Sequence, residues 1–213
     1  MASPESGWSF DADILALLLG HSWVVSPDRL NELRVLALEA DFEGTLNSGA
    51  RTEWFSFGAT LRTGANITGS NSLDESRFQL QDTYDWQIGG GHELKTGILY
   101  QHDRTPMTQE RYQAGVLFYA TDDRSFPGLY LFGTGSSEVR FSTDLFGVFI
   151  QDDWRFTDRL TLGLGLRYDL DLNGTNPSFS HPLVGDRSPD RDNIQPRLGF
   201  TWDLAGDGRT VLR

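Results

Sequence analysis

The sequence contains no cysteine, and basic residues are scarce. The absence of cysteine excludes a disulfide framework, CxxC redox chemistry and thiolate zinc sites among these residues. There are 18 Lys and Arg against 30 Asp and Glu, which gives a formal net charge of −12. Because phosphate neutralisation needs clustered Lys and Arg, and no such cluster occurs, the composition argues against a nucleic-acid partner.

Long apolar runs are missing as well. The longest, at residues 14–19, has six residues, whereas a helix needs about 20 apolar residues to cross a membrane. The opening Met-Ala-Ser-Pro-Glu has neither the basic region nor the apolar region of a secretory signal. We therefore expect no helical span, and either an intracellular protein or a piece of a longer chain.

Familiar catalytic and metal-binding motifs do not occur. The four histidines form no HExxH motif, and neither GxSxG nor GxGxxG is present. His92 follows three glycines, and we interpret it as a polar residue at the end of a turn and not as a metal ligand. Residues 169–174 match the first half of a calcium loop, but the twelfth position is Ser180 instead of Glu. The sequence predicts no enzyme, no cofactor and no metal, and it leaves calcium at 169–180 open.

The sequence does show a strict two-residue alternation of side-chain character. Between Leu160 and Leu172, even positions are apolar or aromatic and odd positions are polar or glycine, the pattern of a strand with one apolar face. Two strands without clear alternation are expected near 10–25 and 30–42, and a last strand begins at Arg209. The alternation itself recurs around 78–88, 94–101, 146–156 and 194–204. We therefore predict an all-β chain with seven strands and the start of an eighth.

The predicted connections alternate in length. Short turns rich in Gly, Pro, Asp or Ser fall at 26–28, 89–91, 157–159 and 206–208. Long polar stretches lie between them, at 43–75, 104–141 and 173–191. Connections of this length are usually functional or disordered. The alternation predicts an antiparallel up-and-down sheet with all tight turns at one end and all long loops at the other.

The aromatic residues indicate what the apolar faces meet. Four of the six Trp residues lie about three residues before a short turn, and two Tyr residues lie on the apolar face toward the opposite end. Aromatic rings at both edges of an apolar band are typical of a bilayer interface, whereas core Trp residues of a soluble barrel need not share a level. The predicted membrane-interface residues are Trp23, Trp86, Trp154, Trp202, Tyr100 and Tyr168.

Short segments in the second half of the chain carry a family resemblance. They are Gln-Asp-Asp-Trp-Arg at 151–155, Gly-Leu-Arg-Tyr-Asp at 165–169 and Pro-Arg-Leu-Gly-Phe at 196–200. In their residues and in their order along the chain, these segments resemble consecutive barrel hairpins of TonB-dependent outer-membrane receptors. Within that family they resemble the Oar-like branch. The resemblance is strong over about 142–213 and weaker over 10–103.

This resemblance implies a plugged transmembrane β-barrel in the bacterial outer membrane that takes up a ligand with energy delivered through TonB. Such barrels have about 22 strands, so residues 1–213 would be one partial barrel domain, about eight strands of a larger barrel, with the plug domain absent. The implied partners are outer-membrane lipid, the TonB complex through the missing plug, and an unidentified ligand at loops 43–75, 104–141 and 173–191. No cofactor is implied.

The polar faces of the strands are expected to line the interior of such a barrel, where mixed charges pair with one another, with a plug or with water. The alternative is a soluble or surface-exposed β-sheet binding module without transport activity, whose apolar faces pack on each other. The predicted lumen-facing residues are Arg77, Gln79, Lys95, Asp153, Arg155, Arg167, Asp169, Arg197 and Asp203.

Overall fold

The computed structural model describes residues 2–57, 59–174, 183, 185, 187–188 and 190–213. Their regular structure is β-strand, apart from one 3-10 turn at Pro4–Ser6. Within these residues no helix has the length and apolar character required to cross a membrane. The strands are β1 (Trp8–Ser26), β2 (Arg29–Leu46), β3 (Thr52–Phe57), β4 (Ala59–Thr63), β5 (Asn71–Gly89), β6 (His92–Gln109), β7 (Val116–Tyr119), β8 (Leu129–Leu131), β9 (Glu138–Thr157), β10 (Leu160–Leu172), β11 (Ile194–Asp203) and β12 (Val211–Leu212).

Eight of these strands form one sheet, in the order β1-β2-β5-β6-β9-β10-β11-β12. Each strand lies beside the next one of the series, and the pairs β9–β10, β10–β11 and β11–β12 are antiparallel. The prediction of an all-β, antiparallel up-and-down sheet of about eight strands is confirmed. In the described part of the chain, β1 and β12 occupy the two edges of the sheet.

Three of the four tight turns lie where the sequence predicts them, whereas the predicted turn at 206–208 is part of a seven-residue connection, 204–210, and the last strand begins at Val211 instead of Arg209. Residues 27–28 join β1 to β2, residues 90–91 join β5 to β6, and residues 158–159 join β9 to β10. At the second of these turns, three consecutive glycines, from position 89 to 91, have φ between 66° and 85°. Only glycine adopts such angles readily, which explains why the three stand together.

Two of the long polar stretches, 43–75 and 104–141, which the sequence predicts as loops, contain strands. β2 and β6 end inside them, and β5 and β9 begin inside them. The residues between form a second sheet in the order β4-β3-β7-β8, in which β3 and β7 are parallel. Within each segment the strands pair antiparallel, β3 with β4 and β7 with β8. The parallel pair β3–β7 joins segments that are distant in sequence, so no local turn signal predicts it. Most of the third stretch, 173–191, lies outside the described residues.

The chain divides into two compact units. Unit 1 contains the second sheet, and unit 2 contains the tight turns. Unit 1 comprises Met1–Leu15, Glu39–Ser76 and Thr105–Arg140, and unit 2 comprises Ala16–Leu38, Arg77–Arg104 and Phe141–Arg213.

Unit 1 has a small apolar core on its second sheet. The rings of Phe55 in β3 and Tyr119 in β7 are both buried and stack with centroids 4.8 Å apart. Val116 is 1% exposed. The buried hydroxyl of Thr52 donates a hydrogen bond to the carbonyl of Ala65 at 2.6 Å, so this polar group is satisfied. Burial of apolar surface, at about 25 cal/mol per Å², is the main stabilising contribution available to so small a sheet.

Unit 2, in contrast, leaves its apolar side chains uncovered. Val148, Ile150, Leu166 and Leu198 expose 50, 48, 48 and 83% of their surface. In water, each Å² of apolar surface that stays exposed loses about 25 cal/mol of the stabilisation that burial would give. Contiguous apolar patches on a protein surface usually mark sites of interaction. Within the described residues, the sheet therefore presents an apolar face that no protein element covers.

Candidate functional site

The strand register divides unit 2 into two chemically different faces. Leu166 of β10 lies opposite Ile150 of β9 and Pro196 of β11, and the adjacent Gly165 lies opposite Arg197. Because successive side chains of a strand point to opposite faces, the even-numbered residues of these strands share one face and the odd-numbered residues share the other. We call them the apolar face and the polar face.

The same parity continues into β6 and β5. A Cβ on Gly97 of β6 would lie 2.5 Å from Cε1 of Phe149 in β9, so the odd residues of β6 are on the polar face. Lys95 of β6 in turn forms an ion pair with Asp85 of β5, with Nζ 3.0 Å from Oδ1. The two faces therefore run through β5, β6, β9, β10 and β11.

The nine residues predicted to face a lumen all have odd numbers and lie on the polar face. Several form ion pairs there. Arg77 donates from Nε to Asp103 Oδ1 at 2.7 Å. Arg167 donates from Nε to Asp169 Oδ2 at 2.8 Å, and the Gln195 amide donates to the same oxygen at 2.8 Å. The structure thus brings the predicted set to one surface, while its contact with a lumen stays a prediction.

Glycines leave a hollow in the polar face. Gly163 and Gly199 lie opposite each other in β10 and β11. Together with Gly165, Asp153 and Arg197 they line a cavity of about 360 Å³. Leu164, Leu198 and Phe200 also line this cavity, so its walls are both polar and apolar.

The four predicted interface Trp residues lie near the tight turns of unit 2. The guanidinium of Arg29 lies 4.8 Å from the ring centroid of Trp86, and Trp154 lies opposite Leu162. Trp23 and Trp202 are more than two-fifths exposed. A common membrane depth for these four residues stays a prediction.

Of the two predicted interface Tyr residues, Tyr100 lies near the middle of β6 and Tyr168 lies in the second half of β10. The ring of Tyr100 contacts that of Phe146, with centroids 4.9 Å apart. The hydroxyl of Tyr168 donates to the carbonyl of Arg191 at 3.0 Å. Their position at a second membrane interface also stays a prediction.

Polar pairs on the apolar face are the feature that sequence reasoning missed. His92 Nδ1 lies 2.7 Å from Asp152 Oδ2, and His102 Nδ1 lies 2.8 Å from Asp144 Oδ1. His92 does follow the glycine turn, as predicted, but it also binds a carboxylate of the neighbouring strand. A signal was present in the sequence, because both aspartates occupy even positions in an otherwise apolar series. A further contact joins the Asn31 and Asp82 side chains at 2.7 Å.

The partial calcium motif begins in β10. Asp169 is held there by Arg167 and Gln195, and the second half of the motif, from residue 175, falls outside the described residues. In the part of the chain that is described, no group of three His, Asp or Glu side chains is arranged to hold a metal ion.

Unit 1 contains a hollow formed by two stretches of the predicted ligand loop 104–141. Its volume is about 350 Å³, and residues 109–113 and 133–137 line it. Tyr112 has a φ of 56°, which is uncommon for a non-glycine residue, and its N–H donates to the carbonyl of Ile67 at 3.1 Å. The hollow offers space for a small polar group, and a ligand at these loops stays a prediction.

Residues 9–213 match the family model described as outer membrane beta barrel domain. A curated relative, the TonB-dependent transporter Oar of Myxococcus xanthus, is 26% identical over 170 residues, covering 70% of this chain and 15% of that protein. The chain therefore spans about a seventh of the length of this relative.

Solved structures are also similar, at low identity. The outer membrane transporter YddB of Escherichia coli has a TM-score of 0.46 and 14% identity, covering 93% of this chain and 30% of that one. The ferric-catecholate import receptor Fiu of E. coli K12 has a TM-score of 0.43 and 11% identity, covering 91% and 32%. FpvA of P. aeruginosa, solved with bound pyoverdine, has a TM-score of 0.42 and 14% identity, covering 92% and 34%.

Proposed function

The chain belongs to the outer membrane beta barrel domain family and lies in the bacterial outer membrane, and on this premise we propose that it forms part of the wall of a TonB-dependent receptor. Such a receptor takes up a ligand through a plugged barrel with energy delivered by TonB. Residues 1–213 are then one partial barrel domain, and the plug and the other strands are supplied by chain outside these residues.

The observation that carries the proposal is the two-faced sheet of unit 2. One face has aliphatic side chains that are about half exposed, and the other has ion-paired charges such as Arg77–Asp103 and Arg167–Asp169. A wide membrane barrel requires this arrangement, with apolar residues toward lipid and polar residues toward the lumen.

A soluble or surface-exposed binding module is less consistent with this sheet. Such a module would bury its apolar face against a second layer, and the described residues supply no such layer over Val148, Ile150 or Leu166. We assign no enzymatic activity to the chain, whose curated relative is a transporter.

The proposal also assigns partners. Outer-membrane lipid contacts the apolar face, and TonB acts through the plug region. The transported ligand meets the loops at 43–75, 104–141 and 173–191, and the hollow at residues 109–113 and 133–137 is the first place in unit 1 to search for it. The polar face, including the hollow at Gly163, lines the passage.

Tryptophan quenching tests the membrane part of the proposal. The protein is purified from its own outer membranes and reconstituted into phosphatidylcholine vesicles with brominated acyl chains. We expect strong quenching that falls in Trp154→Phe and is unchanged in the control Trp54→Phe, because Trp54 packs on Phe118 in unit 1. Absence of quenching, together with solubility without detergent, would contradict the proposal.

Capture by TonB tests the transport part. The immobilised periplasmic domain of TonB is incubated with detergent extracts of the outer membranes that contain the protein. We expect the immobilised TonB domain to retain the protein. The same domain added free in solution should compete for the protein and release it. A protein that inserts into the membrane but is never retained would be an outer-membrane barrel of another class.

A further inference from the structure

The second sheet of unit 1 has one covered edge and one open edge. At the β4 edge, Ala2 forms a parallel bridge with Arg62, and the Ser3 N–H donates to the Arg62 carbonyl at 3.0 Å. At the other edge β8 pairs with β7, and within the described residues of unit 1 no strand lies on its outer side. Alternate residues of an edge strand direct their N–H and C=O groups away from the sheet. The open edge at β8 therefore offers backbone groups to one more strand.

The side chains at this edge form an exposed aromatic surface. The rings of Tyr130 and Phe132 stack with centroids 5.5 Å apart, and the two residues are 48 and 60% exposed. Leu129, which precedes Tyr130 in β8, is 50% exposed. Proteins commonly protect an edge strand with charged side chains, whereas this edge presents apolar ones. Exposed apolar side chains beside open backbone groups indicate a site of interaction.

Tyr130 is held in place by two contacts. A Cβ on Gly115, whose φ is 77°, would lie 2.5 Å from the Tyr130 hydroxyl oxygen and 2.8 Å from Cε2, so the ring packs against the backbone at Gly115. The guanidinium carbon of Arg51 lies 5.9 Å from the centroid of the same ring. Both contacts restrict the ring before a ligand arrives, so less conformational entropy is lost on binding.

Arg51 brings a positive charge to this surface. Its side chain is exposed, and among the described residues its guanidinium contacts the Tyr130 ring and forms no ion pair. Arg124, which lies over the ring of Phe55, does form one, with Nη2 3.3 Å from Oε2 of Glu53. The charge of Arg51 is therefore available to a ligand, and a carboxylate is the group that complements it.

We infer that unit 1 binds an extended peptide as a fifth strand beside β8, and that this peptide carries an acidic and an apolar residue two positions apart. Strand addition to an open edge is a known mode of peptide recognition. Opposite residues of neighbouring strands have Cβ atoms about 4.5–5.5 Å apart. The peptide residue beside Tyr130 thus extends its carboxylate to Arg51, and the one beside Phe132 covers that ring.

A peptide is the ligand that uses all three features of the edge. A small anion would contact Arg51 and leave the backbone of β8 uncovered, and an apolar molecule would cover Phe132 and leave the charge unmatched. The two peptide side chains share one face of the added strand because alternate residues of a strand do so. The inference rests on the proposed function, because it assigns this peptide as the ligand of loop 104–141.

N-methylated peptides test the strand pairing. The protein is purified from its own outer membranes in detergent, and its affinity for fluorescein-labelled Thr-Glu-Thr-Phe-Thr is measured by fluorescence anisotropy. Only one set of alternate N–H groups of an added strand faces β8. Methylation of the second and fourth nitrogens, or of the third and fifth, should therefore have unequal effects, with affinities about tenfold apart. Equal affinities of the two methylated peptides, or no binding of the parent peptide, would overturn the inference.

Charge exchange tests the assigned contact of Arg51. Arg51→Glu should bind the peptide about tenfold more weakly, and it should bind the peptide with Lys in place of Glu more tightly than the wild type does. A misfolded protein would not gain affinity in this way. The matched control is Arg62→Gln, which removes another arginine that lies over an aromatic ring, Trp54 at 5.2 Å, but at the opposite edge of the sheet. Its affinities should equal those of the wild type. If Arg51→Glu prefers the Glu peptide as the wild type does, the inference is wrong.

Two further measurements separate the possible failures. A protein that immobilised TonB retains but that binds no peptide would refute the inference and leave the proposed function intact. A protein that TonB never retains would refute the proposed function, and the assignment of a peptide as its ligand with it. A dimer in detergent that dissociates in Phe132→Ala would show that a second copy occupies the edge at β8, which would also refute the inference.

Discussion

The ring of Phe149 lies directly over Gly97 on the polar face. A Cβ at position 97 would be 2.5 Å from Phe149 Cε1 and 2.8 Å from the carbonyl oxygen of Asp82. A side chain at this position would displace either the ring or the backbone of β5, because Cβ atoms do not approach other heavy atoms this closely. Glycine at position 97 is therefore a packing requirement of β6 and its two neighbouring strands.

We predict that Gly97→Ala lowers the free energy of unfolding by about 1–3 kcal/mol, the usual cost of overpacking. The matched control is Gly199→Ala in β11, where an added Cβ meets nothing within 4 Å and the change should stay within about 0.5 kcal/mol. Urea unfolding of the reconstituted protein, followed by Trp fluorescence, measures both variants. Equal stabilities of the two would contradict the packing assignment.

Arg167→Gln should destabilise the protein by about 1 kcal/mol, because it leaves the half-buried Asp169 without its cation. The guanidinium and the carboxylate are 2.8 Å apart and only 24 and 21% exposed. In the control Arg34→Gln, the partner Glu32 is 3.7 Å away and the guanidinium is 59% exposed, so we expect almost no effect. A loss as large in the control as in Arg167→Gln would show that the polar face is not a distinct ion-paired surface.

Val116→Ala should loosen the second sheet of unit 1. Val116 is 1% exposed, so shortening its side chain leaves a cavity. Such a cavity lowers the free energy of unfolding by about 2 kcal/mol. Hydrogen exchange within β3, β7 and β8 should accelerate, and exchange in β10 should not change. Leu129→Ala, at a position that is 50% exposed, serves as the control. Unchanged exchange in the Val116 variant would mean that the sheet does not depend on this core.

The turn between β1 and β2 should respond to acid. The pKa of Asp28 is lowered mainly because the Ser26 hydroxyl donates to its carboxylate, at 2.5 Å. A carboxyl group whose pKa is lowered by folding stabilises the fold above its unfolded pKa, and this contribution is lost as the pH falls through the lower folded value. The turn should therefore weaken below about pH 4.

Carboxyl NMR titration measures this effect. Ser26→Ala should raise the pKa of Asp28 toward its ordinary value. The pKa of Asp123, which is lowered mainly by the backbone N–H of Ser125, should stay the same in both proteins. An Asp28 titration identical in wild type and Ser26→Ala would contradict the assigned cause.

The large sheet could be predicted from sequence because its information is local. The alternation from Leu160 to Leu172 defines both the strand and its two faces. Short turns that contain Gly and Asp show which strands lie next to each other in the sheet. The second sheet could not be predicted in this way. β7 and β8 have four and three residues, too few to show a period, and β3 pairs with β7 across more than fifty residues.

The two faces could likewise be predicted, and so could the position of Asp152, an even-numbered residue of the apolar series that the register places opposite Leu164. The residue that Asp152 pairs with could not be predicted. This partner, His92, is on another strand, so the pair depends on how β6 aligns with β9. That alignment is a tertiary property, and no local pattern encodes it.

Thiol accessibility along β11 tests the central claim that the apolar face meets lipid and the polar face meets water. The chain has no native cysteine, so Leu198→Cys, Gly199→Cys, Phe200→Cys and Thr201→Cys each introduce one thiol into it. In native outer membranes, a small charged methanethiosulfonate should modify positions 199 and 201 and spare 198 and 200, which should react with a lipid-soluble maleimide. Modification of all four positions by the charged reagent, or the opposite alternation, would contradict the account.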